Sequence, residues 1–524
     1  MKYKIFLLFT SFIISSVYTQ TVEDAWVFFT GKPQADSYLN NPLNMLSQRA
    51  IDRRERLNID LDVLDVPVDE DYLQQISTAN GIVVKAKSKW LNAVHVQGSE
   101  EDIRNLFNFD FVDYLEFANK NIGTVSRQPG MNFQTTSQKF PQITYDYGNG
   151  YDQIHLLNGE LMHEQDFTGK GILLAVIDAG FIDVNTDDFF QHLFQDNKVI
   201  DVYNFVGNDE NVYQYHSHGA SVLSTIAGKS EGELVGTAPD VSVALYVSED
   251  VSQEMPIEES YWAEAAERAD SIGVDVINTS LGYQTYDRDE YSYTMDDLDG
   301  KTSFISRAAE IAVSRGIVVV VSAGNSGNTS WPKIAMPADA VSVITVGAVD
   351  VNREKASFSS VGPTADGRIK PDVMAQGVNA TAYSVGSFHS LSGTSLSSPI
   401  IAGMTACMRQ AYPDKTPAEI KQDLISISDR SDNPDNEYGY GIPDFSLYET
   451  NHINKNDTYN IDFYPNPAHQ KIYLTGESTY KLFTADGKMI KEKNTLQNHI
   501  DINGLSKGIY YLSLSGKTFK LIVE

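Results

Sequence analysis

The chain has 524 residues, 42% of them hydrophobic, and a formal net charge of -30. This length can bury a large core and predicts roughly three or four folding units. Because binding to phosphate groups requires clustered Lys and Arg, the acidity argues against a protein that binds nucleic acid or anionic lipid. The single cysteine, Cys407, excludes an internal disulfide. Its position in an apolar stretch predicts a packed, inert thiol.

Residues 1–19 have the pattern of a secretory signal peptide. Lys2 and Lys4 precede an apolar run from Ile5 to Val17, which is short for a membrane span and ends in small or polar residues. The alternative is an N-terminal strand or anchor. No later run approaches transmembrane length, so the sequence predicts an exported protein without a transmembrane segment.

Residues 20–120 predict a small α+β unit. Two strand-like stretches, 81–90 and 91–97, precede a helix that Ser99 caps, with acidic residues in its first turn, and a strand follows at 111–117. Residues 121–150 are polar, contain Gly and Pro and lack a pattern, which predicts a linker or processing region.

Residues 151–448 contain apolar runs of strand length separated by helical stretches. The runs are ILLAVI, VSVALYV, VDVIN, IVVVVSA and VSVITVGAV. Continuous rather than alternating runs predict a parallel sheet with helices on both faces. Functional residues gather at the carboxyl ends of such strands, where Asp178, residues 280–282 and Asn325 lie.

The tail differs in composition from the rest of the chain. After a polar connector at 449–460, residues 461–524 form short alternating strands broken by Asp-Gly and Ser-Gly turns. This pattern predicts a small β-sandwich.

Three residues within 151–448 supply the groups that acyl transfer by a serine requires: a nucleophile, a base and a carboxylate that orients the base. Asp178 ends a strand, His218 opens a helix of small residues, and Ser395 precedes an apolar helix. Because Pro399 lacks an N–H, that helix is expected to begin near Ser395 with Pro399 in its first turn, so that its free N–H groups face the serine.

Each of these residues alone is more often structural, as a turn acid, a core histidine or a helix cap. Their order across an α/β unit matches one of the known orders of the catalytic triad. His216 is a rival base, although it lacks the glycine and the helix that follow His218.

The segments VIDAGF, HGASVLSTIAG, VDVINTSLG, VVVSAGN and LSGTSLSSPIIAGMTA resemble the signature segments of the subtilisin-like serine proteases, in that family's order. The later FSSVGPTADGRIKPDVMAQG and YGYGIPD also fit. The resemblance spans about 150–448 and implies a subtilisin-like, doubly wound parallel α/β sheet. It implies that Asp178 orients His218, the general base and acid, and that Ser395 is the nucleophile. Asn325 would donate its amide to the oxyanion hole together with the Ser395 N–H.

The same resemblance places Ser280, Leu281 and Gly282 in one wall of the primary specificity pocket and Ala335 near its floor. A Lys or Arg side chain buried there would lack a partner. We therefore expect cleavage after large apolar residues.

Two positions depart from the family's pattern. Ala179 stands where a hydroxyl residue usually follows the aspartate, and HGAS replaces the usual HGTH. Both changes lie beside Asp178 and His218, whose orientation is then expected to depend on other groups.

The flanking units also resemble known domains. Residues 21 to about 120 resemble the propeptides that assist subtilase folding and block the active site. The tail, with DFYPNPAHQKIYL and DINGLSKGIYYL, resembles the C-terminal sorting domain of type IX secretion cargo. These resemblances imply a zymogen that the type IX machinery exports through the periplasm and outer membrane, to be secreted or held at the cell surface.

No cofactor is implied for the chemistry. Residues 295–304 resemble a calcium loop only superficially, because they lack its glycine spacing and distal glutamate, so a turn before a helix capped near Thr302 is favoured. Many subtilases bind calcium, but no ligands are assigned here. The leading interpretation is a secreted serine endopeptidase acting on polypeptides. The alternatives are a catalytically inactive subtilase fold that serves as a surface binding module, and an acyl-transferring ligase.

Overall fold

The computed structural model describes residues 21–122 and 145–448 and, in the tail, segments between 463 and 523. Those segments are 463–464, 471–474, 479–484, 488–494, 499–502, 504–514 and 517–523. The predicted signal peptide, the predicted connector at 449–460 and most of the predicted linker at 121–150 lie outside the described residues. No helix in the described ranges is long and apolar enough to cross a membrane.

The N-terminal unit is an antiparallel sheet with helices, and its strand order is β2-β3-β1-β4. As predicted, β2 and β3 pair with each other, and the Ser99 side chain accepts a hydrogen bond from the Asp102 N–H at the start of α4. The elements are β1 Val22–Phe29, α1 Ala35–Leu39, α2 Gln48–Arg56, α3 Glu70–Ser77, β2 Val83–Ser88, β3 Ala93–Ser99, α4 Glu100–Asn105 and β4 Val112–Phe117.

The central unit is built on a parallel sheet. Its elements are α5 Tyr151–His155, α6 Glu160–His163, β5 Leu173–Asp178, α7 Gln191–Gln195, β6 Val199–Asn204, α8 His218–Ala227, β7 Lys229–Ser230, β8 Leu234–Val235, β9 Ser242–Val247, α9 Ile257–Ile272, β10 Val276–Thr279, α10 Phe304–Ser314, β11 Val318–Ser322, β12 Ile344–Val349, β13 Val373–Gln376, β14 Ala380–Ser384, β15 Ser387–Leu391, α11 Thr394–Ala411 and α12 Pro417–Ser426.

Seven of these strands form one parallel sheet in the order β13-β12-β11-β10-β5-β9-β6. In β5, Leu174 and Val176 pack in one apolar cluster with α8 and α11, and Ala175 and Ile177 pack in a second cluster with α9 and α10. Both faces are therefore covered, which explains the continuous apolar runs. The predicted doubly wound α/β fold is confirmed. The sequence analysis missed β6, β13 and the β14–β15 hairpin.

The N-terminal sheet packs against α9 and α10 of the central unit. Trp26 Nε1 donates to Ser260 Oγ at 2.8 Å, and the Trp26 ring stacks on Phe304 at 5.0 Å between centroids. Arg307 pairs with Glu116 at 2.9 Å. This interface buries charged groups as well as aromatic rings.

The tail forms two antiparallel sheets, with orders β16-β17-β20 and β19-β18-β21-β22. Ile500 from the first sheet packs in one core with Leu482 and Leu512 from the second, which confirms the predicted β-sandwich. The strands are β16 Phe463–Tyr464, β17 Lys471–Leu474, β18 Thr479–Thr484, β19 Met489–Asn494, β20 His499–Asp501, β21 Gly508–Leu514 and β22 Lys517–Val523.

Candidate active site

The side chains of Asp178 and His218 meet at the carboxyl edge of the parallel sheet. Asp178 ends β5 and is fully buried, whereas His218 opens α8 with 31% of its side chain exposed. Asp178 Oδ1 lies 2.7 Å from His218 Nδ1, so the carboxylate favours a proton on Nδ1 and leaves Nε2 free to accept one. Gly219 permits this approach, because a Cβ there would lie 2.5 Å from the Gly180 carbonyl oxygen.

The same carboxylate controls the protonation of the histidine. The charge of Asp178 raises the pKa of His218 above its ordinary value of 6.5, although burial of the ring lowers it. An imidazole acts as a base only when it is neutral. Any reaction that uses His218 as the base is therefore expected to slow as the pH falls through this raised pKa.

The position of Ala179 leaves part of the carboxylate without a partner. Asp178 Oδ1 accepts a hydrogen bond from the Ala179 N–H at 2.7 Å, but Oδ2 is buried and has no hydrogen-bond partner among the described residues. The Ala179 side chain carries no hydroxyl that could supply a donor. An unsatisfied buried acceptor costs roughly 1–3 kcal/mol.

Two serines of α8, the helix that begins at His218, contact the hairpin that precedes Ser395. Ser221 Oγ donates to Ser384 Oγ at 3.0 Å, and Ser224 Oγ accepts from the Tyr383 N–H at 2.8 Å. Both partners lie on β14, which continues through β15 towards Ser395. Ser221, the last residue of HGAS, thus contributes a hydroxyl to a contact that holds α8 against the β14–β15 hairpin.

Ser395 is the second residue of α11, which begins at Thr394. The prediction that Pro399 lies in the first turn is wrong, because Pro399 is the sixth residue of the helix. The proline is accommodated because the Ser395 carbonyl, which would otherwise accept from the N–H of residue 399, accepts from Ser280 Oγ at 3.0 Å. The Ser395 hydroxyl donates to the Ser280 carbonyl oxygen at 3.4 Å. Among the described residues, no hydrogen bond joins it to His218.

The amide of Asn325 is oriented by the start of α11. Its Oδ1 accepts from the Thr394 N–H at 2.8 Å and from Thr394 Oγ1 at 3.0 Å, so its Nδ2 donors are directed elsewhere. A Cβ placed on Gly393 would lie 3.6 Å from Asn325 Nδ2 and 3.8 Å from the Ser395 N. The two predicted oxyanion donors therefore both lie beside Gly393.

The predicted substrate wall and pocket floor are close to each other. A Cβ on Gly282 would lie 2.8 Å from the Ala335 Cβ, and Ala335 is buried. The main chains of Tyr283 and Met336 exchange hydrogen bonds of 2.9 Å. Ser280 is buried, whereas Leu281 and Gly282 remain accessible.

His216, the rival base, and the single cysteine lie in environments that differ from that of His218. His216 is exposed, and its Nδ1 accepts from the His218 N–H at 3.1 Å. Cys407 is fully buried, and burial raises the pKa of its thiol, so its predicted packing in the core is confirmed.

The calcium-like segment is a turn before a helix. Asp297 closes a capping box with Thr294, and Ser303 rather than Thr302 caps α10. Within the described ranges, no group of three or more His, Cys, Asp or Glu side chains is placed to hold a metal ion. Calcium ligands remain unassigned.

Sequence analysis did not identify Glu249, which lines a cavity of about 530 Å³ with His218 and residues 280–282. Its segment, YVSEDVSQE, has the composition of an ordinary polar loop. The only sequence signal was its position two residues beyond a predicted strand.

The comparisons with known proteins settle the family. The sequence model of the Subtilase family matches residues 169–441, just over half of the chain. The chain belongs to the subtilase family. It is 33% identical over 308 residues to Serine protease AprX of Bacillus subtilis (strain 168), a match that covers 53% of this chain and 66% of AprX. It is 32% identical over 278 residues to Subtilisin DY of Bacillus licheniformis, covering 52% of this chain and 90% of that protein.

A solved structure similar to this subtilase is the crystal structure of MycP1 from the ESX-1 type VII secretion system. The identity is 24% and the TM-score 0.44, and the match covers 60% of this chain and 89% of that chain.

The flanking predictions are also confirmed. Residues 24–135 match the Peptidase S8 propeptide domain of Bacteroidota, and residues 462–524 match the Secretion system C-terminal sorting domain. The subtilase is a subtilisin-like serine endopeptidase with a propeptide and a type IX sorting tail, and these flanking domains indicate export to the cell surface or the medium.

Proposed function

We propose that this subtilase hydrolyses peptide bonds through an acyl-enzyme on Ser395, with His218 as general base and acid and Asp178 as the residue that orients it. The observation that carries the proposal is the 2.7 Å contact between Asp178 and His218, at a cavity that is also lined by Ser280, the hydrogen-bond partner of Ser395. The Ser395–His218 hydrogen bond is expected to form when substrate displaces the serine hydroxyl from the Ser280 carbonyl oxygen, since such contacts often tighten only in the substrate complex.

The proposed reaction moves one proton in each half. Ser395 Oγ attacks the scissile carbonyl carbon while its proton passes to His218 Nε2, and Asn325 Nδ2 and the Ser395 N–H donate to the oxyanion. His218 then protonates the leaving amine, and the carbonyl carbon stays bonded to Ser395 Oγ as an ester. A water molecule attacks this ester while one of its protons passes to His218, and His218 returns that proton to Ser395 Oγ as the ester bond breaks and the acid is released.

The proposed specificity is for large apolar residues before the cut. The Ala335 methyl packs against Gly282, and neither side chain carries a charge that could pair with a buried Lys or Arg. The acids near the site line the cavity beside His218, whereas Ala335 is absent from that lining.

We further propose that the enzyme processes its own propeptide. The last described residues of the N-terminal unit are held on the central unit, because the Lys120 N–H donates to the Glu290 carbonyl oxygen at 2.9 Å. The predicted cleavage region follows at once and lies mostly outside the described residues. Tethering gives it a high effective concentration near Ser395.

Expression in a protease-poor heterologous strain tests both proposals. Wild-type protein is expected to begin between Lys120 and about Asp152 and to be labelled by a fluorophosphonate at Ser395. Ser395→Ala is expected to keep its N-terminus near Gln20 and to remain unlabelled, whereas Ser314→Ala, which removes an exposed hydroxyl on α10, should match wild type. Maturation of Ser395→Ala at the wild-type position and rate would refute self-processing. A wild-type protein without labelling would favour the inactive binding module.

A further inference from the structure

A partly buried carboxylate, Glu249, lies beside the catalytic pair and has no part in the proposed reaction. It follows β9, whose last residue, Val247, pairs with Asp178 in parallel register. The Ser248 N–H donates to the Asp178 carbonyl oxygen at 3.2 Å. The strand pairing that places Asp178 at the sheet edge therefore places Glu249 there as well.

Glu249 connects this edge to the substrate wall. The hydroxyl of Tyr283, a fully buried residue, donates to Glu249 Oε1, and Ser248 Oγ donates to the same oxygen at 3.2 Å. Tyr283 directly follows Gly282 and pairs through its main chain with Met336. The Glu249 side chain thus links the loop after β9 to the segment after β10 that forms the predicted wall of the specificity pocket.

The surroundings of Glu249 are acidic. Among the described residues, the cavity that it shares with His218 has no Lys or Arg in its lining. The titratable groups facing it from the packed elements are Asp178, His216, His218, Asp250, Glu254, Glu258, Tyr283 and Asp287.

We propose that Glu249 is a positioning residue for the Asp178–His218 pair. Through Tyr283 it fixes the segment 280–282, the predicted wall of the specificity pocket. When ionised, it places a second negative charge near the imidazolium that forms as Ser395 loses its proton. This inference rests on the proposed triad. Asp178 contacts His218 through Oδ1 only, and its Oδ2 has no hydrogen-bond partner among the described residues. A nearby carboxylate adds to that stabilisation at a longer range.

The ionisation of Glu249 gives the inference a pH signature. Burial, followed by the negative charge of Glu254, raises the pKa of Glu249 to about 8. The rate is expected to rise as His218 becomes neutral, and a second rise is expected near pH 8 as Glu249 ionises. We expect a second rise of about three- to tenfold, since a coupling of one pKa unit corresponds to a factor of ten. Tyr283 does not contribute to it, because its pKa is raised well above 10.0.

The test is the pH profile of kcat and KM for the processed enzyme on an uncharged apolar peptide. Glu249→Gln keeps an acceptor for Tyr283 but cannot ionise, so it should lose the second rise with KM nearly unchanged. Tyr283→Phe should keep the second rise and increase KM. Glu264→Gln is the control: this acid lies on α9 and accepts from the Lys87 N–H of the propeptide unit, and it does not line the cavity.

Other outcomes distinguish Glu249 from the neighbouring acids, and a failure of the Glu249 role from a failure of the triad. Burial raises the pKa of Glu254 to about 7 and that of Glu258 to about 9. Loss of the second rise in Glu254→Gln or Glu258→Gln, with its retention in Glu249→Gln, overturns the assignment. A wild-type profile without a second rise overturns it even if no variant folds. Fluorophosphonate labelling runs in parallel, because an enzyme unlabelled at Ser395 would refute the triad itself, whereas a labelled enzyme without the second rise refutes only the role of Glu249.

Discussion

Asp270 on α9 depends on the propeptide unit for its counter-charges. Arg54 Nη2 lies 2.7 Å from Asp65 Oδ1 and 2.8 Å from Asp270 Oδ1, Arg53 also pairs with Asp270, and Lys89 lies 3.6 Å away. Burial alone would raise the pKa of Asp270, but these three cations outweigh it and lower the pKa to about 2. All three cations belong to the N-terminal unit, so this cluster helps to hold the propeptide on the enzyme.

The perturbation is Asp270→Asn in the Ser395→Ala background, in which the chain is expected to stay unprocessed. The substitution keeps the shape of the side chain but removes a carboxylate from Arg53 and Arg54, each 1% exposed. Arg54 keeps its pairing with Asp65, and Arg53 keeps its hydrogen bond to the Val274 carbonyl oxygen. Removing one partner of a buried ion pair costs about 3–5 kcal/mol. With a urea dependence of about 1–3 kcal/mol per molar, the unfolding midpoint of the propeptide unit should fall by about 1 M or more.

The assay is urea unfolding followed by tryptophan fluorescence, because Trp26 and Trp90 of the propeptide unit are both buried. Glu100→Gln is the matched control, since it removes an acid whose pairing with Arg104 is about half exposed and should change stability by less than about 1 kcal/mol. A midpoint for Asp270→Asn within about 0.2 M of the parent would refute the role assigned to this cluster.

Three further predictions concern the catalytic site. Asn325→Leu should leave KM nearly unchanged and lower kcat by about 10²-fold or more; turnover above about a third of wild type would exclude Asn325 as the oxyanion donor. A peptide-library profile should show large apolar residues before the cut, and dominance of Arg or Lys would contradict an uncharged pocket floor. Activity should fall with decreasing pH through a His218 pKa above 6.5; in Asp178→Asn that inflection should move to lower pH, and an unmoved inflection would show that Asp178 does not set it.

Much of the architecture could be predicted because its signals are local. The runs that became β5, β10, β11 and β12 are apolar on both faces, and a strand covered by helices on both sides requires this. The positions of Asp178 at a strand end and His218 at a helix start follow from the same boundaries. Parallel strands then bring their carboxyl ends to one edge, so residues far apart in sequence could be expected to meet.

The missed elements lack such signals. The edge strand β6 is only partly buried, and β13 has four residues. The β14–β15 loop is Val385–Gly386, with φ of 49° and 71°. A two-residue turn with positive φ is expected to contain Asn-Gly or Gly-Gly, and a β-branched residue there is uncommon. The ion pairs of Arg53 and Arg54 on α2 with Asp270 could not be predicted, because Asp270 lies more than 200 residues away in sequence.

The error at Pro399 shows how local rules depend on distant partners. The expectation of a first-turn proline assumed that the carbonyl four residues earlier would otherwise lack a donor. Ser280, which directly follows β10, supplies that donor through its hydroxyl, so the proline can lie deeper in α11 and the helix can start earlier. The same hydrogen bond fixes the main chain of Ser395 against Ser280. The contacts of Ser221 and Ser224 with β14 hold α8, which begins at His218, against the β14–β15 hairpin that precedes Ser395. The geometry of the site therefore depends on several contacts between elements, which is why the loss of hydroxyls at positions 179 and 220 leaves Asp178 and His218 in hydrogen-bond contact.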